Sequence, residues 1–260
     1  MGEGTLMGLL GDAVVWLNDP LNWQGRGGVP FLTYEHLYIS FFAVALAALV
    51  AMPTALLLGH TGRGGGLTVA VTNVSRAIPT LALLTVFAAT SIGFGNRATI
   101  LALAVFAVPP LLTNTYVGIR GVDPDIVEAA RGMGLAERSI LLRVELPLAV
   151  PLIAVGVRTA AVQVVATATL AALVGGGGLG TIINEGFGQQ DRPQILAGGL
   201  LVALLALLTE ALLALVQLRV TPGRERRRLL PAARRSSDAV WAGAVAVVDE
   251  EDGRRTVSVP

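Results

Sequence analysis

Glu128-Ala129-Ala130, then Gly134, then Leu146-Pro147 form the most tightly spaced pattern in the chain. Nothing in it is a nucleophile or a metal-ligand set, so the chemistry it offers is contact: a short, capped, rigid element for another surface. Asn73, Arg76, Pro79, Thr80, Asn114, Thr115, Arg158 and Glu210 are a different kind of candidate, polar or helix-breaking residues inside long apolar runs. They suit the lining of a polar path through an apolar body. A third group is the run Gly175, Gly176, Gly177, Gly178, Leu179, Gly180, which suits a tight turn or a gate. Covalent catalysis has few candidates. The chain has no Cys and two His, which excludes thiol chemistry, disulfides and thiolate metal sites. We therefore assign no catalytic residue and no metal site.

The elements that must carry these residues are membrane helices. Of 260 residues 53% are hydrophobic and 14% are charged, and the mean hydropathy is +0.69. Soluble domains run near a quarter charged. The net charge of +1 calls for no nucleic-acid partner. A spanning helix needs about 20 mostly apolar residues. Residues 37–59, 67–92, 98–119, 148–174 and 195–220 meet that length, so we expect an all-α integral membrane protein with about five transmembrane helices. The apolar run at 6–17 is too short to span and has acidic flanks (Glu3, Asp12, Asp19), unlike a signal peptide. It reads as an interfacial or packed segment.

Arginine placement gives the orientation. With the amino terminus outside, the inner segments hold Arg63, Arg120, Arg131, Arg138, Arg143 and Arg219, against Arg26, Arg97 and Arg192 outside. The carboxyl terminus then lies inside. Residues 222–260 mix an arginine cluster with the acidic run at 249–252. They read as a disordered cytoplasmic tail whose basic part touches anionic lipid.

Between the third and fourth spans the sequence predicts two short helices. Asp123 followed by Pro124 is a helix start, an N-cap acceptor and then proline at the first helical position. Asp125 and Glu128 add negative charge near that positive helix end. Ile126, Val127, Ala130 and Met133 form an apolar stripe at helical spacing, and Gly132 and Gly134 end the helix. A second helix over 137–146 is expected to stop at Pro147. Such a loop suits either a knob for another protein's groove or an amphipathic segment lying on lipid.

The spacing resembles the signature loop of permease subunits in binding-protein-dependent ATP-binding-cassette (ABC) importers. Val144 stands where that family more often has Ile, and Ala136 where a Ser or Thr often caps the second helix. The runs at 73–84, 108–120, 144–158 and 175–180 are similar to permeases of glycine betaine, carnitine and choline uptake systems. The resemblance covers roughly residues 34–221. It implies the MetI-like importer permease fold in a bacterial cytoplasmic membrane. Residues 1–33 would be an extracytoplasmic or interfacial segment, 34–221 the permease domain, and 123–147 its coupling loop. The implied partners are ABC ATPase subunits, a second permease copy or paralogue, an extracytoplasmic solute-binding protein and the bilayer. No cofactor is expected on this chain, since ATP and Mg would sit on the ATPase. Asp123, Glu128, Ala129, Ala130, Gly132, Gly134, Leu146 and Pro147 would then meet or shape the contact with that subunit. Glu128 either pairs with a basic group on the partner or caps its own helix.

Gly175, Gly177 and Gly180 also satisfy G-x-G-x-x-G, but no Lys-Ser/Thr follows and the chain has no Lys, so a nucleotide loop is rejected. An arginine at a bilayer centre costs on the order of 3 kcal/mol. Arg76 and Arg158 must therefore face the bundle, a water path or the headgroups, or pair with Glu210. Glu210 either balances a quaternary ammonium or pairs with an arginine. Aromatics make up 5% of the chain, clustered at Tyr34, Tyr38, Phe41 and Phe42. Tight recognition of a quaternary ammonium by an aromatic cage therefore belongs to an external binding protein. The alternatives are a permease for methionine or another small solute, a membrane-embedded enzyme, and a structural membrane scaffold.

Overall fold

Alanine at every fourth position of the first long helix sets how the bundle packs. In the computed structural model this helix, α2 (Val29–His60), turns Ile39, Ala43, Ala47, Ala51 and Ala55 inward. They meet Leu103, Ala104, Ala107, Leu111 and Leu112 of α5 (Asn96–Arg120) and Ala160 and Val164 of α8 (Leu146–Thr167). In lipid no hydrophobic drive separates helix from surroundings, so small residues that let backbones approach closely decide the interface. At Gly59 of α2 the approach to α5 is close: a methyl group there would sit 2.8 Å from Ile119 Cβ.

The structure describes residues 6–220, apart from the side chains of Leu6, Leu67, Val69, Ser75 and Arg76. The expected tail at 222–260 lies outside the described residues. Among these residues all regular elements are helical. The remaining helices are α1 (Leu6–Asn18), α3 (Gly65–Ala77), α4 (Thr80–Ala89), α6 (Pro124–Gly132), α7 (Glu137–Ile140), α9 (Gly180–Gln189) and α10 (Arg192–Val220). α2, α5 and α8 form the centre, and α10 packs on α8, α9 and α1. α1 is thus a packed segment, with its last turn closed by Trp23 and Asn22 side chains donating to the Leu17 and Trp16 carbonyls.

Four helices are long and apolar enough to cross a membrane: α2, α5, the continuous run Glu137–Val174, and α10. The expected second span, 67–92, is instead broken. Pro79 has no N–H to donate and pushes the preceding residue out of the helical region. Ile78 accordingly adopts φ −85°, ψ 119° and separates α3 from α4. At 1.5 Å per residue the ten residues of α4 reach about 15 Å, half the hydrocarbon core.

Pro147 also differs from expectation. It does not stop a helix: α7 continues into α8 through a π-helical turn, Leu141–Glu145, in which the Leu146 N–H reaches back to the Leu141 carbonyl. The wider turn gives the proline ring, two residues into α8, room against the carbonyl it would otherwise strike. At the far end of α8 a 3₁₀ segment, Ala168–Val174, leads into the glycine run, and α9 follows. α9 has no counterpart in the expected spans.

Candidate functional site

At one end of the bundle α6 and α7 form an elbow between α5 and α8. Its start is capped as the sequence implies: Asp123 accepts from the Asp125 N–H at 3.0 Å, with Pro124 in the first turn. Such a cap contributes about 1 kcal/mol. Its end is a Schellman turn. The Leu135 N–H donates to the Ala130 carbonyl and the Gly134 N–H to the Arg131 carbonyl, at 3.3 and 3.0 Å. Gly134 has φ +80°, and a methyl group there would meet nothing within 4 Å. The backbone angle is therefore what requires glycine at this turn. Gly132, expected to help end the helix, is still its last residue. Ala136 starts α7 without a side-chain cap.

Ala130 faces inward, while Glu128, Ala129 and Met133 are exposed. The elbow thus presents an acid and an apolar tip on its outer side. Its inner side is tied by charges. Arg131 donates to Glu137 through Nε and a terminal nitrogen at 2.7 and 3.0 Å. The hydrogen bonds it donates to Glu137, and then the charge of that carboxylate, hold the guanidinium above its ordinary pKa. Beneath them lies His60, the last residue of α2. Its Nδ1 is 2.6 Å from Glu145 Oε2 and its Nε2 3.3 Å from Glu137 Oε2. Glu145 is only 5% exposed. Removing one partner of a buried pair costs about 3–5 kcal/mol, because the other charge is left stranded. The expected site residues included neither His60 nor Glu145. No local signal brings them together, since they stand 85 positions apart.

Mid-bundle, the break between α3 and α4 opens a cavity of about 540 Å³. Of the residues expected along a path, Pro79, Thr80 and Asn114 line it. Thr72, Thr113, Thr159, Gln163 and Phe106 complete it with hydroxyls, an amide and one aromatic ring. Among the described residues none that lines it is charged. Thr72 and Thr113 share a 2.6 Å hydrogen bond, and Asn114 donates to the Pro110 carbonyl at 2.8 Å. Gly156 of α8 lets Asn114 approach, since a methyl group there would sit 2.7 Å from Asn114 Cβ.

Arg158, Glu210, Asn73 and Thr115, also expected along a path, are not among the lining residues of this cavity. Arg158 pairs with Glu210 at 2.7 Å and with Gln217 at 2.8 Å, joining α8 to α10. Pairing offsets the cost of each charge in the bundle and leaves Glu210 engaged with a cation of its own chain. Asn73 is exposed on α3. Thr115 is 1% exposed, and its hydroxyl has no hydrogen-bond partner among the described residues. Arg76 lies in the last turn of α3, and its side chain is outside the described residues. Tyr34, Tyr38, Phe41 and Phe42 pack along an exposed face of α2, away from this cavity.

At the end opposite the elbow the glycine run folds onto α2 and α5. Glu35 accepts from the Asn96 side chain at 2.8 Å and from the Gly178 N–H at 3.1 Å, and Asn96 accepts from the Gly177 N–H at 2.9 Å. His36 accepts from the Leu179 N–H through Nδ1, at 3.3 Å, and donates through Nε2 to the Val165 carbonyl at 2.8 Å. Gly175 and Gly178 have φ +68° and +93°. A side chain at Gly177 would occupy the place of the Glu35 carboxylate, and one at Gly180 would strike the Thr169 carbonyl. The clamp residues Glu35, His36 and Asn96 were absent from the expected site.

Comparison with known proteins places this arrangement. Residues 30–222 match the family described as "binding-protein-dependent transport system inner membrane component". The choline transport system permease protein OpuBB of Bacillus subtilis is 38% identical over 205 residues, covering 78% of this chain and 94% of that protein. The carnitine transport permease protein OpuCB of Listeria monocytogenes is 39% identical over 190 residues, covering 73% and 87%. The osmoprotectant import permease protein OsmW of Salmonella typhimurium is 30% identical over 203 residues, covering 76% and 94%. Among solved structures, an inward-facing form of the MetNI methionine ABC transporter superposes with a TM-score of 0.66, covering 79% of this chain and 100% of that one. At 22% identity that likeness shows the fold alone. The elbow, the broken helix over a polar cavity and the family match lead to one conclusion: the chain belongs to the inner-membrane components of binding-protein-dependent transport systems.

Proposed function

We propose that this chain is the permease subunit of an ATP-driven importer for osmoprotectants of the quaternary-amine class, such as glycine betaine, carnitine or choline. The observation that carries the reading is the elbow, capped at both ends on a chain whose relatives at 38 and 39% identity are choline and carnitine permeases. Those relatives favour this class over methionine, which is named for a structure only 22% identical.

In this reading the elbow docks on a separate ATPase subunit through Glu128, Ala129 and the turn at Gly134. ATP and Mg belong to that subunit. The glycine run serves as a clamped turn, with its amides engaged by Glu35, Asn96 and His36 and not open to phosphate. Two permeases, identical or paralogous, pair in the membrane, and an external binding protein delivers the solute. The arginine distribution supports an elbow and carboxyl terminus in the cytoplasm and an amino terminus outside. The hydroxyls and amides that line the cavity among the described residues offer the solute weak contacts, as suits a site that must release what it receives. ATP-driven closure of the partner moves the elbow and shifts the bundle between two states of access.

Uptake of radiolabelled glycine betaine, choline, carnitine and methionine, at low and high osmolarity with the partner subunits co-expressed, tests the substrate class. Uptake of at least one quaternary amine is expected. Uptake of methionine alone would overturn it.

A further inference from the structure

The elbow is joined by the chain to α5 and α8, but no backbone joins it to α2. α2 nevertheless reaches both ends of the bundle: His60 stands beneath the elbow, and Glu35 and His36 hold the glycine turn. The separation of His36 and His60 along one helix corresponds to about 36 Å. We propose that His60 is a positioning residue for coupling, the link through which movement of the elbow reaches α2 and, through it, the glycine turn at the far end.

The contacts run without interruption from the elbow inward. Arg131 of α6 holds Glu137 of α7, Glu137 faces His60 Nε2, and His60 Nδ1 faces Glu145 in the π turn. Carboxylates only accept, so Nδ1 donates to Glu145, while Nε2 lies 3.3 Å from the second carboxylate, Glu137. The Arg131–Glu137 contact is half exposed on both sides and water weakens it. The His60–Glu145 contact is nearly enclosed, at 14% and 7% side-chain exposure, so α2 and the π turn separate only by stranding a buried carboxylate. The π turn adds a reason for this position. A helix with one residue too many per turn is a natural place for rotation, and Glu145 is its last residue. Tying that residue to α2 lets a rotation of the elbow reach α2 as well as α8.

This inference rests on the importer reading, and its test separates the two. Permease, ATPase and binding protein are reconstituted in liposomes, and the ratio of solute accumulated to ATP hydrolysed is measured. His60→Ala is expected to lower the ratio roughly fivefold or more while the ATPase still co-purifies and hydrolyses ATP. His60→Asn, whose amide nitrogen can stand where Nδ1 stands, is expected to recover the ratio. A merely structural role would lower uptake and hydrolysis together and leave their ratio unchanged. An unchanged ratio in His60→Ala would overturn the assignment, as would a His60→Asn that falls as far as His60→Ala. If His60→Ala fails to assemble, Glu145→Gln is read the same way, a fallen ratio supporting the link and an unchanged one overturning it. A wild-type complex that moves no quaternary amine strikes the importer reading and this inference together. A working wild type with an unaffected His60→Ala strikes this inference alone.

Discussion

Both ends of the bundle turn on glycine, and for different reasons. At the elbow, Gly134 adopts φ +80° in open space. At the opposite end, Gly177 is surrounded, its missing side chain replaced by the Glu35 carboxylate. The elbow glycine answers a demand of backbone angle and leaves its surface free for another molecule. The clamp glycine answers a demand for space and leaves its amide engaged within the chain. One end is built to be touched from outside, and the other is held from inside.

Substitutions can break that contrast. The largest effect is expected for Gly177→Val, which must expel Glu35 and strand the amides it holds. Overpacking of this kind costs up to about 3 kcal/mol, and we expect a large drop in melting temperature and in yield of folded protein from detergent. A fully stable Gly177→Val would mean the clamp is looser than drawn. Next comes Gly134→Val. A β-branched residue in the left-handed region costs about 1–2 kcal/mol, so the chain should insert and fold while transport is lost. Asp123→Ala removes a cap worth about 1 kcal/mol and should lower the melting temperature slightly and uptake partially. Least affected is Arg131→Ala, whose exposed contact with Glu137 should leave the melting temperature unchanged. A large destabilisation there would show this contact to be more enclosed than its exposure indicates.

The same contrast separates what the sequence makes legible from what only the packed fold brings together. The elbow was legible because its determinants are local: the Asp123-Pro124 start and the Gly134 turn lie within a dozen positions of each other. The four long spans followed from apolar length, but the expected second span, 67–92, is broken: apolar length alone does not register that Pro79 lacks an N–H and separates α3 from α4. The Arg158–Glu210 pair stood among the alternatives because burying either charge alone is costly. The clamp was not legible, since Glu35 meets Asn96 and Gly178 across 61 and 143 positions. The cavity was half legible: Pro79, Thr80 and Asn114 announced themselves as polar or breaking residues in apolar runs. Thr72, Thr113, Thr159 and Gln163 come together only when three segments pack. Pro147 misled because a proline normally ends a helix, and a π turn upstream removes the clash that makes it do so.

The central claim is that the elbow carries work from a separate ATPase into this bundle. It is tested most directly by ATP-dependent accumulation of a radiolabelled quaternary amine in proteoliposomes containing permease, ATPase and binding protein, with wild type compared to Gly134→Val. The account predicts accumulation by wild type only when the ATPase and ATP are both present. It predicts none by Gly134→Val, although that variant is folded and inserted. Accumulation driven by this chain without the ATPase, or wild-type accumulation by Gly134→Val, would contradict it.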